Sequence, residues 1–348
     1  MSRGTARSAR STARSARATS LHLLCLVVLL VVLALAAVAS LRFGHRSTSF
    51  ADVWVALHGH QETIEQIAAG SRVPRTILGV AVGAALAVSG TTFQAVTRNP
   101  LADPGIFGVL SGASLFVVIS IVGDWSQAPL PRMIYAMLGA AVAAAFVYTV
   151  GSLGRGGATP LKLALAGAAT SAAASSLVSA LILPNARAMD DFRFWQIGSI
   201  GRADWTTMRL GIPLLIVGFL VCWLCATRLN SLAMGDDVAT SLGVSVPWTR
   251  GIASIGAVIL CGVATALAGP IAFVGLIVPH ILRLIVGSDH RWLMPLSALA
   301  GAALLVLSDV AGRVFSSSED LSVGIITPLI GAPLFIFIVR RSRMRDTA

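Results

Sequence analysis

Three groups of side chains in this sequence have types and spacings that could do chemistry. His58, His60 and Glu62, in "FADVWVALHGHQETIEQIAA", suggest a metal site, and Cys222 and Cys225 form a C-x-x-C pair. Asp309 and His280 lie in apolar stretches, where an ionisable group is a candidate for proton or cation coupling. Each group also has a plainer reading. An i, i+2 spacing puts His58 and His60 on different faces of a helix, which suits a solvated surface better than a metal. The cysteine pair sits in a Leu/Val-rich segment without a second pair, and Cys25 and Cys261 are in apolar segments too. All four therefore read as small packing residues. Asp309 and Arg313 are four apart, which permits an ion pair. No H-E-x-x-H or G-x-S-x-G occurs, and the single lysine, Lys162 in "PLKLA", cannot serve a phosphate-binding loop, which needs Gly-Lys-Ser/Thr. If ATP drives this protein, another chain hydrolyses it.

What must position these residues is legible from composition. Of 348 residues, 56% are hydrophobic and only 12% charged, about half the charge of an average soluble domain. The apolar residues fall in blocks of about twenty, the length that crosses a bilayer as helix. Blocks occur at 21–41, 75–95, 105–123, 131–152, 160–183, 208–227, 248–268, 270–287, 293–312 and 322–340. The spacing predicts an all-α polytopic membrane protein of about ten helices; a β-barrel would alternate in ten-residue segments. "AGP" at Ala268–Pro270 separates two nearly continuous blocks, since proline breaks the hydrogen-bond ladder.

The net charge of +11 resides in tails and short loops, which points to topology and not to nucleic acid. Residues 1–19 hold five arginines and no acid and read as a disordered basic cytoplasmic arm, ahead of a single transmembrane domain over 20–348. The tail Arg340–Arg345 is basic as well. With an even number of spans and both termini cytoplasmic, the inside holds 16 basic and 5 acidic residues, and the outside 10 and 10. Segment 42–71 becomes an external loop with an interfacial helix, and 228–247 a cytoplasmic loop. Arg72 and Arg75, in "SRVPR", then lie outside, joined by Arg313, against the usual positive-inside bias. Either an acidic partner or lipid phosphates would account for them.

Three further features stand out. In Asn230–Val246 two short helical pieces joined at Gly235 can present Met234, Val238 and Leu242 to a partner or to the membrane surface, with Asp236 and Asp237 at a helix start and Gly243 closing the unit. In the fifth block Ser171, Ser175 and Ser179 share one helix face, suited to lining a polar path or to close packing. Gly79/Gly83 and Gly108/Gly112 are G-x-x-x-G pairs expected at close helix contacts. In "TRNPLADPG", Asp103 before Pro104 has the form of a helix cap.

"RVPRTILGVAVGAALAVSGTTFQAVTRNPLADPGIFGVLSGASL" (Arg72–Leu115), "LAGPIAFVGLIVPHILRLIVGSDHRWLMPLSALAGAALLVLSDVAGR" (Leu267–Arg313) and "SVGIITPLIGAPLFIFIVRR" (Ser322–Arg341) resemble the signature blocks of FecCD-type permeases. These are membrane subunits of bacterial ABC importers for iron–siderophore complexes, vitamin B12 and haem. The resemblance covers nearly everything after residue 50. "FRFWQIGSI" (Phe192–Ile200), "LNSLAMGDDVATSLG" (Leu229–Gly243) and "GSDHRW" (Gly287–Trp292) look most like ferric-enterobactin permeases. The 1–19 arm departs from the pattern.

The resemblance implies the fold of the B12-importer permease in the bacterial inner membrane. It also implies a second permease subunit (a paralogue rather than a copy), two ATP-binding subunits carrying ATP and magnesium, and an extracytoplasmic siderophore-binding protein. This chain would bind no cofactor or metal of its own. It assigns Arg72, Arg75 and Arg313 to docking of the binding protein. Met234, Gly235, Asp236, Asp237, Val238, Leu242 and Gly243 would couple to the ATPase, and Ser171, Ser175 and Ser179 would line the path. The expected activity is ferric-siderophore import by alternating access; the alternatives are a B12 or haem permease and, from another class, an ion-coupled secondary transporter.

Overall fold

A computed structural model of the chain describes residues 2–44, 48–58, 63–125, 128–154, 159–315 and 320–346. Fourteen α-helices occur among them and no strand. In chain order they are α1 (Ser2–Arg42), α2 (Phe50–Leu57), α3 (Ile64–Thr97), α4 (Val109–Val122), α5 (Pro129–Ser152), α6 (Pro160–Ile182) and α7 (Ala186–Gln196). Then follow α8 (Trp205–Leu224), α9 (Ala226–Ala233), α10 (Asp236–Ser241), α11 (Val246–Ala268), α12 (Val274–Val286), α13 (His290–Phe315) and α14 (Val323–Asp346). Seven are long and apolar enough to cross a bilayer: the Thr19–Arg42 part of α1, α3, α5, α6, α8, α11 and α13. Three shorter apolar helices, α4, α12 and the Val323–Phe337 part of α14, occupy the remaining apolar blocks. The break expected at "AGP" is real: α11 ends at Ala268, and Gly269 has a φ of 75°.

Two expectations are corrected. The arm 1–19 is read as disordered, and from Ser2 onward its backbone is helical and belongs to α1. It is rich in alanine and arginine, both good helix formers, and contains no proline. Segment 42–71, read as loop and one interfacial helix, is divided. Ser49 and Asp52 form a capping box that starts α2, and Thr63 and Gln66 form another that starts α3 about three turns before the apolar block. The helix passes through Pro74, so Arg72 and Arg75 lie within α3 instead of ahead of it.

α3 is the axis of the fold. It packs on α13, α11, α12, α1 and α8, and from Leu78 to Thr97 nearly every residue is buried. Residues 82–92, "VGAALAVSGTT", explain how one helix can be surrounded. Small side chains admit neighbouring backbones, and the hydroxyls are satisfied locally. Thr91 and Thr92 donate to the carbonyls of Ala87 and Val88 at 2.8 and 2.9 Å, and Ser89 donates across to Ala257 of α11 at 2.8 Å. The Gly83 and Gly301 backbones touch where α3 crosses α13, and Gly90 lies on Gly275 at the start of α12. Gly112 of α4 meets Gly139 of α5 in the same way, as the G-x-x-x-G spacing anticipates.

A side chain at Gly83 or Gly90 would run into the backbone of the facing helix. Gly83→Val and Gly90→Val are each expected to destabilise the fold by about 1–3 kcal/mol or more. The check is the unfolding temperature in detergent, and an unchanged value for both would refute this packing.

Candidate functional site

The polar groups gather around Arg72 and Arg75, in the N-terminal third of α3, and around Arg98 at its C-terminus, about 35 Å from Arg75 to Arg98 at 1.5 Å per residue. At the N-terminal end the three arginines singled out in the sequence do converge, but they are not free cations. Arg75 donates through Nε to both oxygens of Asp309 at 3.0 Å, through Nη2 to Asp309 at 2.8 Å, and through Nη1 to Asp320 at 2.6 Å. Arg313 approaches the same Asp309 carboxylate through Nε at 3.0 Å, the i, i+4 pair expected. Asp309 is 2% exposed and Arg313 3%.

Arg72 and Arg313 also close the C-terminus of α1. The last carbonyls of a helix have no partner within it and carry partial negative charge. Arg72 Nη1 donates to the carbonyls of Leu41 and Arg42 at 3.0 and 3.1 Å. Arg313 Nη1 donates to those of Ser40 and Phe43, both at 3.0 Å, and its Nη2 reaches Ser40 Oγ at 2.9 Å. Thr48 adds a hydroxyl bond to Leu41 at 2.9 Å. These two arginines, expected as exposed docking residues, are buried helix caps; Arg75 is partly exposed. An open cavity of about 450 Å³ lies over them, lined among others by Ile64, Ile67, Ser71, Arg75 and Asp320.

At the opposite end α9 and α10 form the two-helix unit anticipated for Asn230–Val246. Gly235, between them, has a φ of 120°, and Gly243 closes α10 with a φ of 78°. Met234, Val238 and Leu242 are exposed on one side, Met234 by 67%, while Ala239 and Leu232 hold the unit to the bundle. Trp248, on the first turn of α11 and six residues after Leu242, is 74% exposed as well and was not among the sequence-derived candidates. Its only sequence signal was a lone Trp after Pro247. Asp237 is exposed, but Asp236 accepts from Arg250 at 3.0 and 3.2 Å and is also paired with Arg98.

The serine stripe lies on a largely bare helix. Ser171 is half-buried, Ser175 and Ser179 are exposed, and Ser179 donates to the Ser175 carbonyl at 3.0 Å. α6 buries only Leu163, Gly167, Ala174 and Val178 within this chain. Its small-residue face is therefore uncovered by this chain, whichever role it has.

Other sequence candidates resolve simply. Cys222, Cys225 and Cys261 are buried and all four cysteines are free, in keeping with packing. His58 Nδ1 lies 2.8 Å from the Trp54 carbonyl within its own turn; His60 and Glu62 are outside the described residues. Among the described residues no three His, Cys, Asp or Glu side chains form a metal-binding group. Asp103 caps a short 3-10 turn (Pro104–Phe107) by accepting from Gly105 N at 2.8 Å, and burial pushes its carboxyl above the ordinary aspartate range.

Residues 28–341 match the FecCD transport family. The chain is 39% identical over 317 residues to the "Probable siderophore transport system permease protein YfiZ" of Bacillus subtilis (strain 168), covering 91% of this chain and 95% of that one. It is 41% identical over 311 residues to the ferric enterobactin transport system permease protein FepD of Escherichia coli (strain K12), covering 89% and 92%. Relatives named for Fe(3+)-citrate, hemin and cobalamin transport match too. Among solved structures, an inward-facing conformation of a metal-chelate type ABC transporter (a provisional assignment) superposes with a TM-score of 0.80. It has 29% identity and covers 92% of this chain and 99% of that one.

Asp309→Asn removes the buried acid that Arg75 and Arg313 share and leaves Arg75 only its more exposed partner Asp320. It is expected to destabilise the protein by about 3–5 kcal/mol. Asp320→Asn, at a side chain 41% exposed, should cost about 1 kcal/mol or less. Thermal unfolding in detergent checks the pair, and equal shifts would show that Asp309 is not the centre of this cluster.

Proposed function

The chain belongs to the FecCD transport family, the permease of an ABC importer in the bacterial cytoplasmic membrane, and from that premise we propose that its cargo is a ferric siderophore. The observation that carries the reading is the similarity at about 40% identity, over nearly the whole chain, to permeases named for siderophore and ferric enterobactin transport. Importers of this family work with ATPase and substrate-binding subunits. In this proposal the chain crosses the membrane ten times, counting the three shorter apolar helices, with both termini in the cytoplasm. The Arg75 end of α3 is then external and the Met234 end cytoplasmic.

Each end suits one partner. The external recess holds Arg75 against two aspartates, and an acidic side chain of the siderophore-binding protein can share its guanidinium. Arg72 and Arg313 contribute by holding that floor and by positive potential, because their donors face inward. On the cytoplasmic side Met234, Val238, Leu242 and Trp248 form an apolar patch around Gly235, suited to a groove on an ATP-binding subunit. A paralogous permease would cover α6, so that Ser171, Ser175 and Ser179 face a shared path. The hydroxyls would offer a large polar chelate weak, exchangeable contacts.

The reading is tested in proteoliposomes holding the permease pair, with or without the ATP-binding subunits, and supplied with binding protein. ATP-dependent uptake of ⁵⁵Fe-enterobactin is expected. Uptake of haemin or cyanocobalamin instead would overturn the siderophore assignment, and accumulation without ATP-binding subunits would sink the ABC mechanism in favour of ion coupling. Arg75→Gln is expected to weaken binding-protein docking about tenfold at low ionic strength, with the difference shrinking as salt rises. Met234→Glu should abolish ATP-coupled uptake while the protein still inserts.

A further inference from the structure

The coupling reading leaves unexplained how movement of α9 and α10 reaches the spanning helices. α10 is only six residues long and buries one of them, Ala239. Gly235 and Gly243, on either side, have left-handed backbones with open space around both. A segment flanked in this way swings on its glycines unless side chains tie it down. Asp236, its first residue, supplies the tie in two directions.

One direction is α11. Arg250 is 7% exposed, and its Nη2 donates to both Asp236 oxygens at 3.0 and 3.2 Å. The other is α3. Arg98 is the residue that ends α3, and its guanidinium pairs with the same carboxylate. Arg98 has a φ of 49°, the left-handed conformation in which a helix usually ends on glycine. The chain thus carries an arginine where the backbone favours the smallest residue, and the side chain so placed reaches the α10 carboxylate. α3 also bears Arg72 and Arg75, so a load applied at Asp236 enters an element that runs from the cytoplasmic patch to the external recess, as α13 does from His290, bonded to Asn230 of α9, to Asp309.

We propose that Asp236 is the positioning residue that clamps the coupling unit to α3 and α11, delivering displacement of that unit by the ATPase to both helices. The proposal rests on the assignment of α9–α10 as the ATPase contact. In this role Asp236 touches neither ATP nor cargo. Breaking the clamp leaves the apolar patch free to engage the ATPase, so the importer assembles and hydrolyses ATP, but hydrolysis no longer moves α3 and α11 in step. An ion pair that only stabilised the fold would give the opposite pattern, with loss of assembly or of unfolding temperature and an unchanged yield per ATP.

The experiment uses the complete importer in proteoliposomes, with whichever of ⁵⁵Fe-enterobactin, haemin or cyanocobalamin the wild type imports. The readouts are cargo delivered per ATP hydrolysed, recovery of ATP-binding subunits with the permease, and unfolding temperature. Asp236→Asn and Arg98→Gly should each lower cargo per ATP by about tenfold with the ATP-binding subunits still recovered. Asp236→Glu should retain the wild-type ratio. Arg98→Gly is the more telling variant, because it removes the clamp and relieves the left-handed backbone, so its unfolding temperature should not fall. A wild-type ratio in both Asp236→Asn and Arg98→Gly, with Met234→Glu uncoupled, would overturn the clamp and leave the contact assignment standing. A wild-type ratio in Met234→Glu would remove the contact assignment itself.

Discussion

In a chain that crosses a membrane, a charge taken out of water must be answered by the protein itself, since lipid offers nothing in exchange. Asp309 meets that condition by sitting between Arg75 and Arg313 at 3.0 Å or less. The carboxylate joins α3 to α13, and Arg313 carries the connection on to the end of α1. Three helices far apart in sequence are thereby fixed at one edge of the bundle. The same arrangement closes the unpaired carbonyls of α1, so one carboxylate and two caps solve a charge problem and a backbone problem together.

The rest of the architecture follows from the burial of α3. A helix enclosed on all sides can neither face lipid nor carry large side chains where its neighbours cross. Glycine contacts with α13 and α12 bring backbones together, and the threonines of α3 bond back to their own helix. Polar groups that cannot be enclosed collect at the helix ends, the Arg75 cluster at one and Arg98 with Asp236 at the other. Both ends of the axis therefore carry charge-paired sites beneath surfaces suited to partners. Helices remote from the axis, α6 above all, remain bare within this chain.

The arginines show where sequence reasoning reached its limit. Their convergence was legible: Arg72, Arg75 and Arg313 did come together, and the Asp309–Arg313 spacing correctly announced an ion pair. Their state was not. Read as external cations, two of them are buried caps, because the unpaired carbonyls of α1 cannot be seen until α1 is docked. Arg98 and Arg250 show the reverse. Neither stands out in the sequence, yet both are paired with an aspartate in the very segment whose exposed Met234, Val238 and Leu242 are anticipated. The start of α3 is misplaced for a local reason, since the apolar block begins only at 75 while the capping box at Thr63 has already begun the helix.

What the sequence determined by itself were the properties set within a span or a signature block: an all-helical membrane chain, ten apolar blocks, a break at Gly269, close contacts at paired glycines, and the family. Apolar length, capping residues and turn chemistry act over a few residues and need no knowledge of the partner helix. Only the tertiary structure decided which charges are free. Arg75 and Asp309 are 234 positions apart, and Arg98 and Asp236 138. An ion pair exists only where packing brings two side chains within about 4 Å, and that placement is set by backbone contacts such as Gly83 on Gly301, about two turns along α3 and α13 from Arg75 and Asp309.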